Sequence, residues 1–182
     1  CIRDRVYGNV DEVEVWLNGR VVARRHPDDK PTTEDYVSRP DGGNATNINF
    51  PPFTFFNMKW EQGELKAVGY KDGKAVAECM VRTPGSVEAM DITYFESGVP
   101  ASADDLLIVY VHLKDRQGTD CFGENKREVK LEVLQGGELR GPAEVKAEAG
   151  VASFLVATTD SPVLVMKAVS GNIETKSELK LK

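Results

Sequence analysis

Asn18-Gly19 constrains this chain more than any other dipeptide in it. It stands between Asp11–Leu17, which alternates polar and apolar residues, and Arg20–Arg24, which is rich in valine. Both residues tolerate positive φ, so Asn-Gly between two strands selects a two-residue type I′ hairpin. Period-2 counting turns Val13, Val15 and Leu17 toward a core and Glu12, Glu14 and Trp16 the other way. Asp72-Gly73 repeats the device between Glu64–Tyr70 and Ala75–Arg82, with Leu65, Ala67 and Gly69 sharing one face.

Between the hairpins the pattern lapses. Residues 26–52 hold Pro27, Pro31, Pro40, Pro51 and Pro52 with Asp41-Gly42-Gly43-Asn44, which predicts a long polar surface loop. Asn44-Ala45-Thr46 has the form of a glycosylation sequon and is read as a chance match. Phe53–Phe56 resumes as a strand, and Trp60–Gly63 reads as a turn. Thr83-Pro84-Gly85-Ser86 breaks the pattern and is the expected domain boundary.

Beyond it, strand-like runs are separated by turn signals. They cover 87–95, 106–114, 128–134, 151–158, 163–169 and 173–181. No segment has the period of an amphipathic helix. The expectation is an all-β chain of two consecutive immunoglobulin-like β-sandwich domains, residues 1–83 and 87–182.

Composition removes several function classes. The net charge of −6 and the scattered Lys and Arg residues argue against a nucleic-acid partner. No apolar run approaches the roughly 18 to 20 residues that span a bilayer, so no membrane insertion is expected. No signal peptide is visible. The three cysteines make neither a disulfide framework nor a zinc spacing. Cys79 is expected to be buried in its strand and Cys121 to be exposed in a polar loop. Strand-like sequence follows Cys1 without a tether, so Cys1 is read as a segment boundary rather than a lipidated terminus.

No catalytic residue, metal ligand or cofactor site is expected. Glu12 with Glu14, Asp28 with Asp29 and Asp104 with Asp105 are acid pairs on strands or loops, read as solvated surface. His26 lies in the polar loop and His112 within a strand, neither with a partner set for catalysis or metal binding. Residues 115–120 resemble a calcium loop only loosely and are read as a turn. Trp16 and Trp60 are the candidate carbohydrate contacts, since an aromatic face can stack on a sugar ring, with Tyr36 and Phe50 nearby in the loop. Packing or interdomain contact is the competing role for both tryptophans.

Two segments carry a family resemblance: VYGNVDEVEVWLNGR (6–20) and FFNMKWEQGELKAVGYKDGKAVAECMVRTPG (55–85). They resemble the C-terminal accessory β-sandwich of β-galactosidase-type enzymes of glycoside hydrolase family 2. The matching residues include Tyr7, Asn9, Asp11, Asn18, Gly19, Trp60, Gly63, Gly69, Tyr70, Asp72, Gly73 and the closing Arg82-Thr83-Pro84-Gly85. The second half resembles the bacterial Ig-like (invasin-like) domain through Asp104, Asp105, Leu106, Val109, Val111, Asp115 and Gly118.

The family's sugar-cleaving site lies in a (β/α)₈ barrel of roughly 250 residues, which this sequence does not contain. The resemblance therefore implies a non-catalytic region of a bacterial, periplasmic or extracellular glycosidase. Its expected partners are the catalytic barrel and other domains of the same polypeptide, with oligosaccharide as a further candidate. Two alternatives stay open at this point: a carbohydrate-binding module, and a tandem Ig-like adhesin or stalk segment.

Overall fold

The computed structural model describes residues 3–28, 51–95, 98 and 100–182, and the described residues contain strands and turns with no helix. The chain divides into two compact units, Cys1–Thr83 and Pro84–Lys182. Residues 29–50, the larger part of the expected 26–52 loop, lie outside the described residues, and with them Asp29, Tyr36, Phe50 and the sequon at Asn44.

The first unit contains β1 (Arg3–Val6), β2 (Glu12–Leu17), β3 (Arg20–Arg25), β4 (Phe53–Phe56), β5 (Glu64–Lys71) and β6 (Lys74–Arg82). Four of these form one sheet in the order β3-β2-β5-β6, and β1-β4 forms a two-stranded antiparallel sheet. Both hairpin turns have the geometry read from the sequence. Asn18 and Gly19 have φ of 51° and 78°, and Asp72 and Gly73 have 51° and 74°, so both central residues are left-handed as a type I′ turn requires.

The alternation in β2 also holds: Val13, Val15 and Leu17 are buried and the residues between them half-buried. Phe53 and Phe55 of β4 are fully buried and join Val13 and Val15 in a small core. Buried Thr54, on the same strand, donates from Oγ1 to Asp28 Oδ2 at 2.6 Å.

β6 departs from expectation. All but its last residue are exposed, and Cys79 is exposed with them. The expected burial of Cys79 is thus corrected. Its neighbours across the sheet do lie over the core, since Cys79 pairs with Ala67 and Ala67 with Val15. Among the described residues, though, the two-stranded sheet does not extend far enough to bury β6.

The second unit contains β7 (Ala89–Tyr94), β8 (Leu106–Lys114), β9 (Glu128–Gln135), β10 (Gly137–Leu139), β11 (Glu144–Lys146), β12 (Val151–Thr158), β13 (Val163–Ser170) and β14 (Ile173–Lys180). Two four-stranded sheets result, β10-β12-β8-β7 and β11-β9-β13-β14. Alternate residues of β8 (Leu107, Val109, Val111, Leu113) pack in one core with Val129 and Leu131 of β9, Phe154 and Val156 of β12, and Leu164 and Met166 of β13. This is a β-sandwich with a continuous interior.

β10 and β11 are additions to the sequence reading. Each has three residues and sits at a sheet edge, too short to carry a period. Gly136 precedes β10 with φ of 78°, and a Cβ there would lie 2.0 Å from the Val163 carbonyl oxygen. Only glycine fits where the chain leaves β9 for the opposite sheet.

The turn after β8 is organised by Asp115, which is 5% exposed. Its carboxylate accepts backbone N–H groups from Gly85 at 2.9 Å, Thr119 at 2.8 Å and Gln117 at 2.9 Å. Those donors, Gly85 foremost, hold its carboxyl below the ordinary carboxylate range. Cys121 follows this turn and is buried, correcting the expectation of an exposed thiol. The chain is threaded tightly here, because a Cβ on Gly150 would meet the Cys121 carbonyl oxygen at 2.5 Å. Burial pushes the Cys121 thiol pKa up.

Two predictions follow from the packing and the Asp115 turn. In denaturant titrations, Phe55→Ala should cost the first unit about 3–5 kcal/mol, and Leu131→Ala the second about 2–5 kcal/mol. A carboxylate whose folded pKa is depressed stabilises the fold above its unfolded pKa, and that contribution is lost as pH falls through the folded value. The melting temperature should therefore fall more steeply below the ordinary carboxylate range in the native sequence than in Asp115→Asn. Equal slopes would remove Asp115 from the account.

Candidate functional site

The first unit presents two aromatic candidates, and the structure puts them on opposite faces of its four-stranded sheet. Trp16 lies on the outer face of β2, half-buried. Its Nε1 donates to Glu14 Oε2 at 2.9 Å, and Lys66 Nζ stands 5.4 Å from its ring centroid. Glu14 also accepts from the Tyr70 hydroxyl at 3.1 Å and pairs with Arg24 at 3.2 Å, while Arg24 sits 5.2 Å over the Tyr70 ring. The hydrogen bond to Glu14 raises the Tyr70 pKa. Trp16 is thus one member of a closed aromatic and ionic network, with an ammonium group over its ring.

Trp60 is different. It is 71% exposed, in the segment joining β4 to β5. The segment that follows it is anchored by the first hairpin. Asn18 Oδ1 accepts the Glu64 N–H at 2.9 Å, and Asn18 Nδ2 donates to the Gln62 carbonyl at 3.0 Å. Gly63 has φ of 134°, and a Cβ there would lie 1.9 Å from Asn18 Oδ1, so both its conformation and its space demand glycine. Arg20 pairs with Glu61 from the same hairpin. Thr83 closes the other side, donating its N–H to the Gly63 carbonyl at 2.8 Å. The turn that sets the sheet's register therefore also holds the Trp60 segment.

Trp60 borders a hollow of about 210 Å³ lined also by Leu17, Met58, Leu65, Val81 and Arg82. A larger groove of about 440 Å³ adjoins it, between Val6 and Tyr7 on one side and Ala67, Cys79 and Val81 on the other. Met58, Leu65 and Val81 line both. Together they form one apolar trough with Trp60 near one end and Tyr7, also 71% exposed, near the other.

Among the described residues, Glu12, Glu14 and Asp105 of the acid pairs are engaged in ion pairs and backbone hydrogen bonds. Glu12 and Glu14 both lie within ion-pair distance of Arg24, at 3.4 and 3.2 Å. Asp105 caps its own strand by accepting the Leu106 N–H at 2.8 Å. His26 Nδ1 lies 3.1 Å from the Asp11 carbonyl oxygen. His112 is half-buried on β8, with Nε2 3.0 Å from Thr93 Oγ1 and Nδ1 3.8 Å from Asp120. Among the described residues, no three His, Cys, Asp or Glu side chains gather where they could hold a metal ion.

Sequence reasoning missed the trough. A signal for it exists in β6, which carries apolar residues on both faces: Ala75, Val76, Ala77, Cys79, Met80 and Val81. A strand with one solvated face would alternate.

Residues 5–77 match a family described as a domain of unknown function (DUF4982). A β-galactosidase of Thermoanaerobacter pseudethanolicus is 25% identical over 178 residues, which is 97% of this chain and 23% of that protein. A solved glycosyl hydrolase family 2 member from Bacteroides cellulosilyticus superposes with a TM-score of 0.69 at 18% identity, over 99% of this chain and 23% of that one. A β-glucuronidase of glycoside hydrolase family 2 does so with a TM-score of 0.66 at 20% identity, over all of this chain and 19% of that one. The chain thus spans about a quarter or less of the length of these proteins. The matches bear out the resemblance carried by 6–20 and 55–85: the chain is similar in sequence to part of a β-galactosidase and in fold to part of glycoside hydrolase family 2 structures.

Proposed function

We propose that this chain is a non-catalytic region of a β-galactosidase-like glycoside hydrolase, supporting the catalytic barrel or its subunit contacts. The observation that carries the proposal is one of coverage: nearly the whole chain aligns with a β-galactosidase, yet it accounts for only 23% of that enzyme. The paired carboxylates support the same reading. Glycoside hydrolysis needs two carboxyl groups facing a common sugar site, whereas Glu12 and Glu14 share one arginine and Asp105 serves its own backbone. In this proposal residues 1–83 are the accessory sandwich and 87–182 a bacterial Ig-like sandwich. The host protein acts in the periplasm or outside the cell, which fractionation and immunodetection test.

The purified 182-residue chain should leave an aryl β-galactoside uncleaved, while the longer polypeptide that contains it cleaves it. Hydrolysis by the chain alone, abolished by neutralising its own carboxylates, would overturn the proposal.

The exposure of Trp60 favours a second reading, in which the chain itself binds carbohydrate. An aromatic face beside Arg82, Glu61 and Lys59 has both the stacking surface and the polar groups such a site uses. If it does, oligosaccharide affinity measured by calorimetry should fall at least about tenfold in Trp60→Ala, the loss of roughly 1.4 kcal/mol. Absence of any sugar binding by the native chain removes this reading and leaves the first intact.

A further inference from the structure

The trough and β6 pose a question that the non-catalytic role alone does not answer. Two rows of side chains cross the inner face of the four-stranded sheet. One runs Val15, Ala67, Cys79 and the other Leu17, Leu65, Val81. Each begins at a buried residue of β2 and ends in the open, with Val81 61% exposed. The sheet's interior therefore continues past the point where its cover stops. Among the described residues the cover consists of β1 and β4, and the groove of about 440 Å³ lies where a further layer would close over β6.

The outer face of β6 adds to this. Met80 is half exposed, at 49%. Among the described residues β6 is also an edge strand, paired on one side only, by β5. Proteins usually protect such edges with charge, proline or a bulge. The bulge here lies near the start of β6, opposite Gly69 and Tyr70, and Lys74, Glu78 and Arg82 put charge along the strand, whereas its inner row Ala77, Cys79 and Val81 carries none.

We propose that this face, β6 with the groove beside it, is an intramolecular docking surface, covered in the longer polypeptide by another of its domains. The inference rests on the reading of the chain as a region of a longer glycosidase.

The choice of occupant follows from area and tethering. β6 has nine residues, a strip about 30 Å long and one strand, about 5 Å, wide, hence ~150 Å² to which the groove beside it adds. A free-standing dimer buries about 800 Å² on each partner, so a second copy has too little to hold here. A domain on the same chain meets the face at an effective concentration near the millimolar range, where a small apolar contact suffices. The β-galactosidase relative has 77% of its length outside the aligned region (100 − 23), ample polypeptide to supply one.

Cys79 reports on the face directly, because a thiol must be accessible to react. The test uses the longer polypeptide. Maleimide labelling is followed at the Cys79 peptide by mass spectrometry, natively and after unfolding in urea. The native rate should be at least about tenfold slower, as for a site reached only through local opening. Protection should persist on hundredfold dilution. Val81→Arg should restore fast labelling, and at an exposed position it should leave the unit folded.

Native labelling as fast as in urea overturns the inference, and so does protection that disappears on dilution, which would mark a second copy as the occupant. Glycosidase activity is measured on the same sample. An active enzyme with a reactive Cys79 removes the docking face and keeps the functional reading. An inactive polypeptide with a protected Cys79 does the reverse.

Discussion

Among the described residues, four strands of the first unit have two strands to close over them, and the exposure of β6 follows from that mismatch. Phe53 and Phe55 of β4 seal Val13 and Val15 of β2. Their reach ends before β6, whose side chains project from the same sheet without cover. Burying a large apolar side chain contributes about 1.5–3 kcal/mol, so Val81, on the inner face, forgoes stabilisation that the sheet is otherwise shaped to provide. The second unit, taken by itself, has no such deficit. Its two sheets have four strands each and enclose one continuous core.

The same hairpin that sets the register of β2 and β3 also shapes the candidate site. Asn18 supplies left-handed backbone to the turn, and its amide clamps Gln62 and Glu64. Gly63 makes room for that amide. The segment that carries Trp60 is therefore anchored by a short chain of local interactions. A structural turn and a candidate contact surface share one residue, so neither can be altered without the other.

The strands and turns of this fold were legible in the sequence because they depend on local chemistry. Positive φ at Asn-Gly and Asp-Gly, the period-2 alternation of β2 and the limits of β4, β8 and β12 needed no knowledge of distant partners. Burial did need it, and the two cysteines show why. Cys79 lies in a strand with apolar neighbours and reads as buried, yet its exposure depends on whether another layer covers β6. Cys121 lies among polar residues and reads as exposed, yet Gly150 and the Asp115 turn enclose it. Trp16 and Trp60 looked equivalent as sugar contacts until the sheet separated them, one locked to Glu14 and Lys66, the other open. The edge strands β10 and β11 were illegible because three residues are too few to show a period.

In the proposed role this chain contributes surface to a glycosidase while the chemistry lies elsewhere in the polypeptide. Deleting the 182 residues from the longer protein tests it most directly, with turnover of a small aryl glycoside counted per folded molecule. Turnover should stay within about twofold of the intact enzyme, a change of no more than roughly 0.4 kcal/mol in the barrier, with faster thermal inactivation. Loss of turnover in a truncated protein that remains folded would contradict it, because a residue of this chain would then belong to the catalytic site.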